Sequence, residues 1–178
     1  TIPSMSIAGE AAIKQGVPVV FDPVGAGASR LRNETAATLL EKVDMAVLRG
    51  NISEIRFLAG LESQTKGVDA SQSDIDSADA RAVAERLAQR QRCVVAITGA
   101  VDIVTDGSST LAIHNGHPML SRLTGTGCMC SSLTGSYCGA HPTQPLQATA
   151  AALLTLGIAG AIAYERAGPS GNGRFRMA

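Results

Sequence analysis

The sequence predicts an α/β fold in which a doubly wound, mostly parallel sheet is flanked by helices. Short apolar runs rich in β-branched residues alternate along the chain with longer helical stretches, which is the pattern of such sheets. Polar motifs follow several of the apolar runs, at the carboxyl ends of strands, where these folds bind ligands. Aromatic residues make up only 3% of the chain. The core is therefore expected to consist mainly of Ala, Val, Leu and Ile, as is typical of helices packed on a parallel sheet.

The first half of the chain contains three predicted helices and two predicted strands. Glycine commonly stops a helix, and an asparagine side chain can cap the first turn of one. The β-branched runs are short enough to be buried strands. In order, the predicted elements are a helix over 5–15 stopped by Gly16, a strand over 17–21, a helix capped by Asn33 that runs to Val43, a strand over 45–48, and a helix over 53–58 closed by Gly60.

The second half begins with a polar stretch over 62–79, which lacks apolar periodicity and is predicted to be a surface loop. An amphipathic helix over 80–91, with Val83 and Leu87 facing inward, and a strand over 93–98 follow it. Alternating runs over 102–105 and 110–114 around Asp106-Gly107 predict a hairpin. The remaining predicted elements are an extended segment over 118–123, a helix of small residues that follows Gly127 and runs to 138, and an apolar helix over 146–166.

Length, charge and hydropathy narrow the class of protein. A length of 178 residues suits a single domain over 1–178. The 15 basic and 15 acidic side chains form no basic stripe, which argues against nucleic acid as a partner and favours a small molecule or a protein. No signal-peptide pattern opens the chain. The uncharged segment over 146–164 is Ala-rich and contains Gly157 and Gly160, so we interpret it as a buried helix of a cytoplasmic protein rather than a membrane span.

The four cysteines lack the spacing of a zinc site. Cys93, Cys130 and Cys138 are interpreted as small buried apolar residues in a reducing compartment. Cys128 differs because it directly follows a glycine turn at a predicted helix start.

Asp22 and Glu54 are candidate metal ligands. Each lies just past a predicted strand, so both carboxylates can converge at one sheet edge, and hard oxygen ligands of this kind suit Mg²⁺. The alternative is that Asp22 caps a turn before Pro23 and that Glu54 simply favours the first turn of its helix.

The turn Gly125-Thr126-Gly127-Cys128 carries the sharpest functional signal. Its two glycines let the backbone approach an anion closely, and the free N–H groups of the following helix form an anion site. A thiol at the positive end of a helix ionises more readily, so Cys128 could accept the proton of an attacking hydroxyl. A small residue that merely fits a crowded turn is the alternative interpretation of Cys128.

Arg49 and Thr98 are weaker candidates for a phosphate site. An arginine leaving a strand can neutralise phosphate charge with a fork of donors, or it can pair with Glu54. Thr98 could offer a hydroxyl to a phosphate or simply make a turn. The loop over 25–30 does not complete a dinucleotide-binding G-x-G-x-x-G, because Arg30 replaces the third glycine. The three histidines show no metal spacing and are assigned no role.

Four ordered motifs closely resemble the hydroxyethylthiazole kinase family of the ribokinase-like superfamily. They are Asp22-Pro23-Val24-Gly25-Ala26-Gly27, Arg49-Gly50-Asn51-x-x-Glu54, Thr98-Gly99-x-x-Asp102 and Gly125-Thr126-Gly127-Cys128. The resemblance runs from about residue 17 to the end of the chain. Cysteine at the end of the glycine turn is the most telling feature, since most ribokinase relatives have an aspartate there.

This resemblance implies a thiamine-salvage kinase that uses ATP and Mg²⁺ to phosphorylate 4-methyl-5-(2-hydroxyethyl)thiazole. It implies the following roles: Asp22 and Glu54 as metal ligands, Arg49, Thr98 and Gly127 at the nucleotide, Asn51 supporting the metal and phosphate site, Gly125 against the thiazole, and Cys128 as catalytic base. A late loop over 171–175 is similar to one near the nucleotide in the family. Family members form homotrimers and carry a further N-terminal region, so the resemblance also implies a truncated chain that holds the C-terminal two thirds of the family's domain.

Other interpretations of the sequence are open. Another enzyme of the same fold, such as a hydroxymethylpyrimidine kinase or a dehydratase acting on hydrated nicotinamide cofactors, is one. Cys128 and the Arg49-Gly50-Asn51 motif argue against both. An inactive nucleotide-binding fragment and a nicotinamide oxidoreductase are the others, and the latter depends only on the imperfect glycine loop.

Overall fold

The computed structural model describes residues 2–61 and 73–167 of the chain. Its elements are α1 (Ile2–Lys14), β1 (Val20–Phe21), α2 (Arg30–Lys42), β2 (Val47–Gly50), α3 (Ile52–Leu58), α4 (Ser73–Gln91), β3 (Val94–Ile97), β4 (Asp102–Thr105), β5 (Thr110–Ile113), a 3₁₀ turn (Pro118–Arg122), α5 (Thr126–Ala140) and α6 (Pro145–Ala167).

The five strands form one mixed sheet in the order β1-β2-β3-β4-β5. β1, β2 and β3 pair in parallel, while β4 runs antiparallel to β3, and β5 runs antiparallel to β4. Four of the five strands therefore point the same way, because β5 reverses β4, which itself reverses β3. The predicted mostly parallel sheet and the predicted hairpin are both confirmed.

Helices cover both faces of the sheet. Successive residues of a strand point to opposite faces, so Leu48 and Val95 join one core with α2, α3 and α4. Their neighbours Val47 and Val94 join a second core with α5 and α6. All four side chains are at most 2% exposed. This two-sided burial is the doubly wound arrangement that the alternation of strands and helices predicts.

The starts of α2 and α4 differ from their predicted positions. Ser29, not Asn33, caps α2, because its Oγ accepts from Arg32 N at 3.4 Å. The Asn33 side chain instead accepts from Gly27 N at 2.7 Å and braces the preceding turn.

α4 begins at Ser73, inside the predicted loop over 62–79. Residues 62–72 of that predicted loop lie outside the described part of the chain. Polar residues dominate the sequence at the start of α4, so apolar periodicity alone does not find it.

The prediction of an extended segment over 118–123 is wrong, because Pro118–Arg122 forms a 3₁₀ turn. Pro118 suits the first position of such a turn, where no N–H is needed. His117 caps it, since its Nδ1 accepts from Met119 N at 3.2 Å. The His117 ring also stacks on Tyr164 of α6, with ring centroids 3.6 Å apart, which fixes the turn against that helix.

Within the described residues, α6 is the one helix that is long and apolar enough, by length and composition, to cross a membrane. Half of its apolar window is buried in the fold. Ala152 and Leu153 are among the residues that it buries, as the prediction of a core helix requires.

Candidate active site

Polar residues gather at one edge of the sheet because β1, β2 and β3 are parallel neighbours. Asp22 directly follows β1, Asn51 directly follows β2, and Thr98 directly follows β3. The start of α5 reaches the same edge. Gly125 caps α5 with a left-handed backbone, φ +94°, a conformation that glycine adopts without strain.

The Arg49 guanidinium joins these elements to one another. Its Nη1 donates to Asp22 Oδ2 at 2.7 Å and to the Gly127 carbonyl at 3.2 Å. Its Nη2 donates to Thr98 Oγ1 at 3.0 Å. The side chains of Arg49 and Asp22 are only 11% and 16% exposed, so little water screens the pair. One cation therefore links the ends of three strands to the first turn of α5.

Glu54 is held in a separate arrangement beside this cluster. Its Oε2 accepts from Asn51 N at 2.8 Å, and Asn51 Oδ1 accepts from Glu54 N at 3.0 Å. This reciprocal pair is a capping box, which satisfies two free amides at the start of α3. Glu54 Oε1 also accepts from Gly25 N at 2.9 Å. The carboxylate thus fastens the loop after β1 to α3, and Arg49 pairs with Asp22 rather than with Glu54.

The donor set at this edge suits a hard cation. Asp22 Oδ1 accepts no hydrogen bond from the residues that the structure describes, which leaves one carboxylate oxygen available. Residues 2–61 and 73–167 contain no group of three or more His, Cys, Asp or Glu side chains that could hold a metal ion. The one available carboxylate oxygen is compatible with Mg²⁺, which usually keeps several waters and binds one or two carboxylates plus substrate phosphates.

A cavity of about 580 Å³ opens beside the Arg49 cluster. Three residues predicted from the sequence line it, namely Arg49, Thr98 and Gly127. Leu153 and Leu156 of α6, with Leu120 of the 3₁₀ turn, contribute apolar surface. A volume of several hundred cubic ångströms is typical of small-molecule sites, and this cavity joins cationic and apolar surface.

Asp102 lies in the wall of the same cavity. Burial raises the pKa of its carboxyl, against the opposing effects of a hydrogen bond from Gly99 N and the nearby charge of Arg49. The Gly99 bond is 2.9 Å long and is accepted by Asp102 Oδ1. Asp102 therefore fixes the backbone that follows Thr98.

The start of α5 presents free backbone donors. The first bond to a carbonyl at the start of the helix runs from Met129 N to Gly125 O at 2.9 Å. The amides of Thr126, Gly127 and Cys128 consequently have no partner inside the helix. Cys128 occupies the third position of α5 and is exposed. A Cβ on Gly127 would make ordinary van der Waals contact with Arg49 Nη1, at 3.4 Å.

Comparison of the sequence with known protein families identifies the family of this chain. A family model described as the Hydroxyethylthiazole kinase family matches residues 1–178. The chain belongs to the hydroxyethylthiazole kinase family.

Individual sequence relatives and solved structures agree with this family assignment. The hydroxyethylthiazole kinase of Ruminiclostridium cellulolyticum is 53% identical over 178 residues, covering 100% of this chain and 65% of that protein. A solved hydroxyethylthiazole kinase protein from Pyrococcus horikoshii OT3 has a TM-score of 0.80 at 40% identity, covering 96% of this chain and 61% of the other. Pyridoxal kinase of Bacillus subtilis, in an ADP complex, has a TM-score of 0.57 at 21% identity, covering 86% and 57%, which shows the fold alone. The fold is thus ribokinase-like, and the chain spans less than two thirds of the length of these relatives.

In this member of the hydroxyethylthiazole kinase family, the sequence-predicted residues form two neighbouring groups. Asp22, Arg49, Thr98 and Gly127 are joined by direct hydrogen bonds. Asn51 and Glu54 form the second group, which contacts the loop after Asp22. Cys128 and Gly125 are part of the same glycine turn but do not line the cavity. The late loop over 171–175 lies outside the described residues.

Ser131 is a further residue of this site that the sequence motifs do not predict. Its hydroxyl donates to Asp22 Oδ2 at 2.7 Å and lies 3.4 Å from Arg49 Nη1. Ser131 is four residues beyond Gly127, so it faces the same side of α5. Helical spacing from the glycine turn could have found it.

We predict that one of the four thiols reacts rapidly with iodoacetamide in the native protein at neutral pH. Burial raises the pKa of Cys93 to about 12 and raises the pKa values of Cys130 and Cys138, whereas Cys128 is exposed. Mass spectrometry should place the first label on Cys128, and Cys128→Ser should remove the fast phase. Cys130→Ser is the matched control and should leave it unchanged. Equal labelling of two or more cysteines in the folded protein would contradict the described burial.

Proposed function

We propose that this chain supplies the nucleotide, metal and proton-accepting parts of a kinase for 4-methyl-5-(2-hydroxyethyl)thiazole, with ATP as phosphate donor. One observation carries the proposal. In a member of the hydroxyethylthiazole kinase family, a nearly buried arginine lines the same cavity as Thr126 and Gly127, two of the residues with free amides at the start of α5. That combination suits a polyphosphate more than any uncharged ligand.

The phosphates would bind at the start of α5. The amides of Thr126, Gly127 and Cys128 provide donors at the positive end of the helix dipole. The Thr98 hydroxyl and the Arg49 guanidinium lie next to them. The apolar part of the cavity would accommodate the rest of the nucleotide. Charge accumulates on the γ-phosphoryl oxygens during transfer, so donors fixed in place stabilise the transition state.

Cys128 would serve as general base. The oxygen of the thiazole alcohol attacks the γ-phosphorus, the bond from that phosphorus to the ADP oxygen breaks, and the hydroxyl proton passes to Cys128 Sγ. Gly125 would lie against the thiazole, because a residue without a side chain leaves room for a ring beside the turn. The exposure of Cys128 supports this role, since the acceptor must reach its sulfur.

Asp22 and Glu54 would hold Mg²⁺ at the carboxyl ends of β1 and β2, with Asn51 orienting Glu54 through the capping box. The metal would neutralise charge on the phosphates. Asp22 offers an oxygen without a hydrogen-bond donor among the described residues, which supports its choice as the direct ligand. Both Glu54 oxygens already accept backbone N–H groups, so this side chain reaches the metal through water more readily than directly.

The location and assembly of the protein are part of the same proposal. We infer a cytoplasmic homotrimer that binds neither nucleic acid nor membrane. The balanced charge of the chain supports the absence of a nucleic-acid partner. Exposed apolar side chains on α6, at Leu154, Ile158 and Ile162, recur every four residues and give one helix face suited to a protein contact.

We predict that Cys128→Ala lowers kcat for phosphorylation of the thiazole alcohol by about 10²-fold or more, the usual effect of removing a general base. ATP affinity should stay nearly unchanged, because the backbone amides remain. Cys128→Asp should retain activity, since a carboxylate can also accept the proton. Product formation and nucleotide binding by calorimetry are the measurements.

Met129→Ala is the matched control for Cys128→Ala, because Met129 is the exposed neighbour on the same turn. It should leave kcat unchanged. Nucleotide binding without product in the unsubstituted chain would mean that it binds ATP only. Phosphorylation of another alcohol, with the thiazole untouched, would replace the proposed acceptor.

We predict that Glu54→Gln raises the Mg²⁺ concentration required for half-maximal turnover. The amide keeps one acceptor oxygen, loses one of the two backbone N–H bonds that Glu54 accepts, and removes the negative charge that favours the cation. Glu41→Gln, an exposed site on α2, is the control with the same chemical change. The same Mg²⁺ requirement in both variants would remove Glu54 from the metal site.

A further inference from the structure

The Ser131 hydroxyl lies where the two halves of the site meet. Its Oγ is 2.7 Å from Asp22 Oδ2, 3.2 Å from the Gly127 carbonyl and 3.4 Å from Arg49 Nη1. A hydroxyl has one hydrogen to donate. The shortest contact and the charged acceptor both favour donation to Asp22. The lone pairs of Oγ then face the guanidinium of Arg49.

We propose that Ser131 is a positioning residue that sets the Asp22 carboxylate relative to the first turn of α5. The inference rests on the proposed function, in which Asp22 serves the metal and that turn serves the phosphates. Ser131 lies one helical turn beyond Gly127 and Cys128 on the same helix. Its hydrogen bond to Asp22 joins residues 109 positions apart in the sequence. This bond fixes the end of β1 directly against α5.

Ser131 leaves the other Asp22 oxygen untouched. Both Ser131 and Arg49 donate to Oδ2, so two donors fix the rotation of the carboxylate and direct Oδ1 away from them. With Ser131 removed, Arg49 alone determines how the carboxylate turns. A partner that orients a ligand in this way typically changes metal affinity by about 10–100-fold when it is lost.

Ser136 provides a matched comparison on the same helix. Its Oγ donates to the Ser132 carbonyl at 3.0 Å and is exposed. The side chain therefore makes the local helix contact that serine commonly makes, without reaching Asp22 or Arg49. Replacing Ser136 tests the loss of a helical serine hydroxyl by itself.

The experiment measures how Mg²⁺ controls the affinity for a non-hydrolysable ATP analogue, AMP-PNP, by calorimetry across a Mg²⁺ series. Ser131→Ala should raise the Mg²⁺ concentration for half-maximal tightening by about tenfold or more. Ser131→Thr should leave this Mg²⁺ concentration near the unsubstituted value, because the hydroxyl is kept. Ser136→Ala should have no effect. Thermal melting of each variant reports whether the fold is retained.

Each outcome decides the inference. An unchanged Mg²⁺ requirement in folded Ser131→Ala overturns it, and so does a failure of Ser131→Thr to recover while its melting temperature is unchanged. Should Ser131→Ala not fold, Ser131→Thr and Ser131→Cys decide. The threonine variant is expected to bind as the unsubstituted chain does, and the cysteine variant is expected to need more Mg²⁺.

The same experiment separates the role of Ser131 from the proposed function. Mg²⁺-dependent binding of AMP-PNP without phosphorylation of the thiazole alcohol would defeat the proposed function, while the Mg²⁺ series still decides the role of Ser131. Binding that is independent of Mg²⁺, or absent, overturns both.

Discussion

A nearly buried arginine charge must be met by protein groups, and at this sheet edge the Arg49 guanidinium determines where its neighbours lie. Asp22 balances the charge, while Thr98 and the Gly127 carbonyl accept further donors. Leaving such a charge unpaired would be strongly destabilising. The ends of β1 and β3 and the start of α5 are thereby tied to β2, and Gly127 of the glycine turn lines the cavity.

The proposed phosphate is negative like Asp22, and the proposed metal ion is positive like Arg49, and these two side chains pair with each other in the structure. Phosphate oxygens would add negative charge beside the Arg49–Asp22 pair, and a divalent cation on Asp22 Oδ1 would add positive charge there. Binding both ligands together would keep the charge at this nearly buried edge balanced, whereas binding one alone would leave an added charge without full compensation. This balance gives a physical reason for nucleotide and metal to bind cooperatively in the proposed kinase.

The sequence predicts local features well and distant pairings poorly. Strand alternation placed Asp22, Asn51 and Thr98 at one edge, and the Asn51-x-x-Glu54 spacing is itself a capping-box signature. The pairing of Arg49 with Asp22 rather than Glu54 depends on strand order and side-chain direction, which no local pattern encodes. The Pro118–Arg122 turn was missed although His117 and Pro118 are local start signals, and only its stacking on Tyr164 of α6 is a distant contact.

A double-mutant cycle on Arg49 and Asp22, read as the free energy of unfolding, tests the central interaction most directly. The variants are Arg49→Met, Asp22→Asn and the two combined. We predict a coupling energy of at least about 1.5 kcal/mol, as for close charge pairs shielded from water, with the double variant more stable than the sum of the single losses implies. Losses that add to within about 0.5 kcal/mol would show that the two side chains do not depend on each other, and would contradict the arrangement on which the site is built.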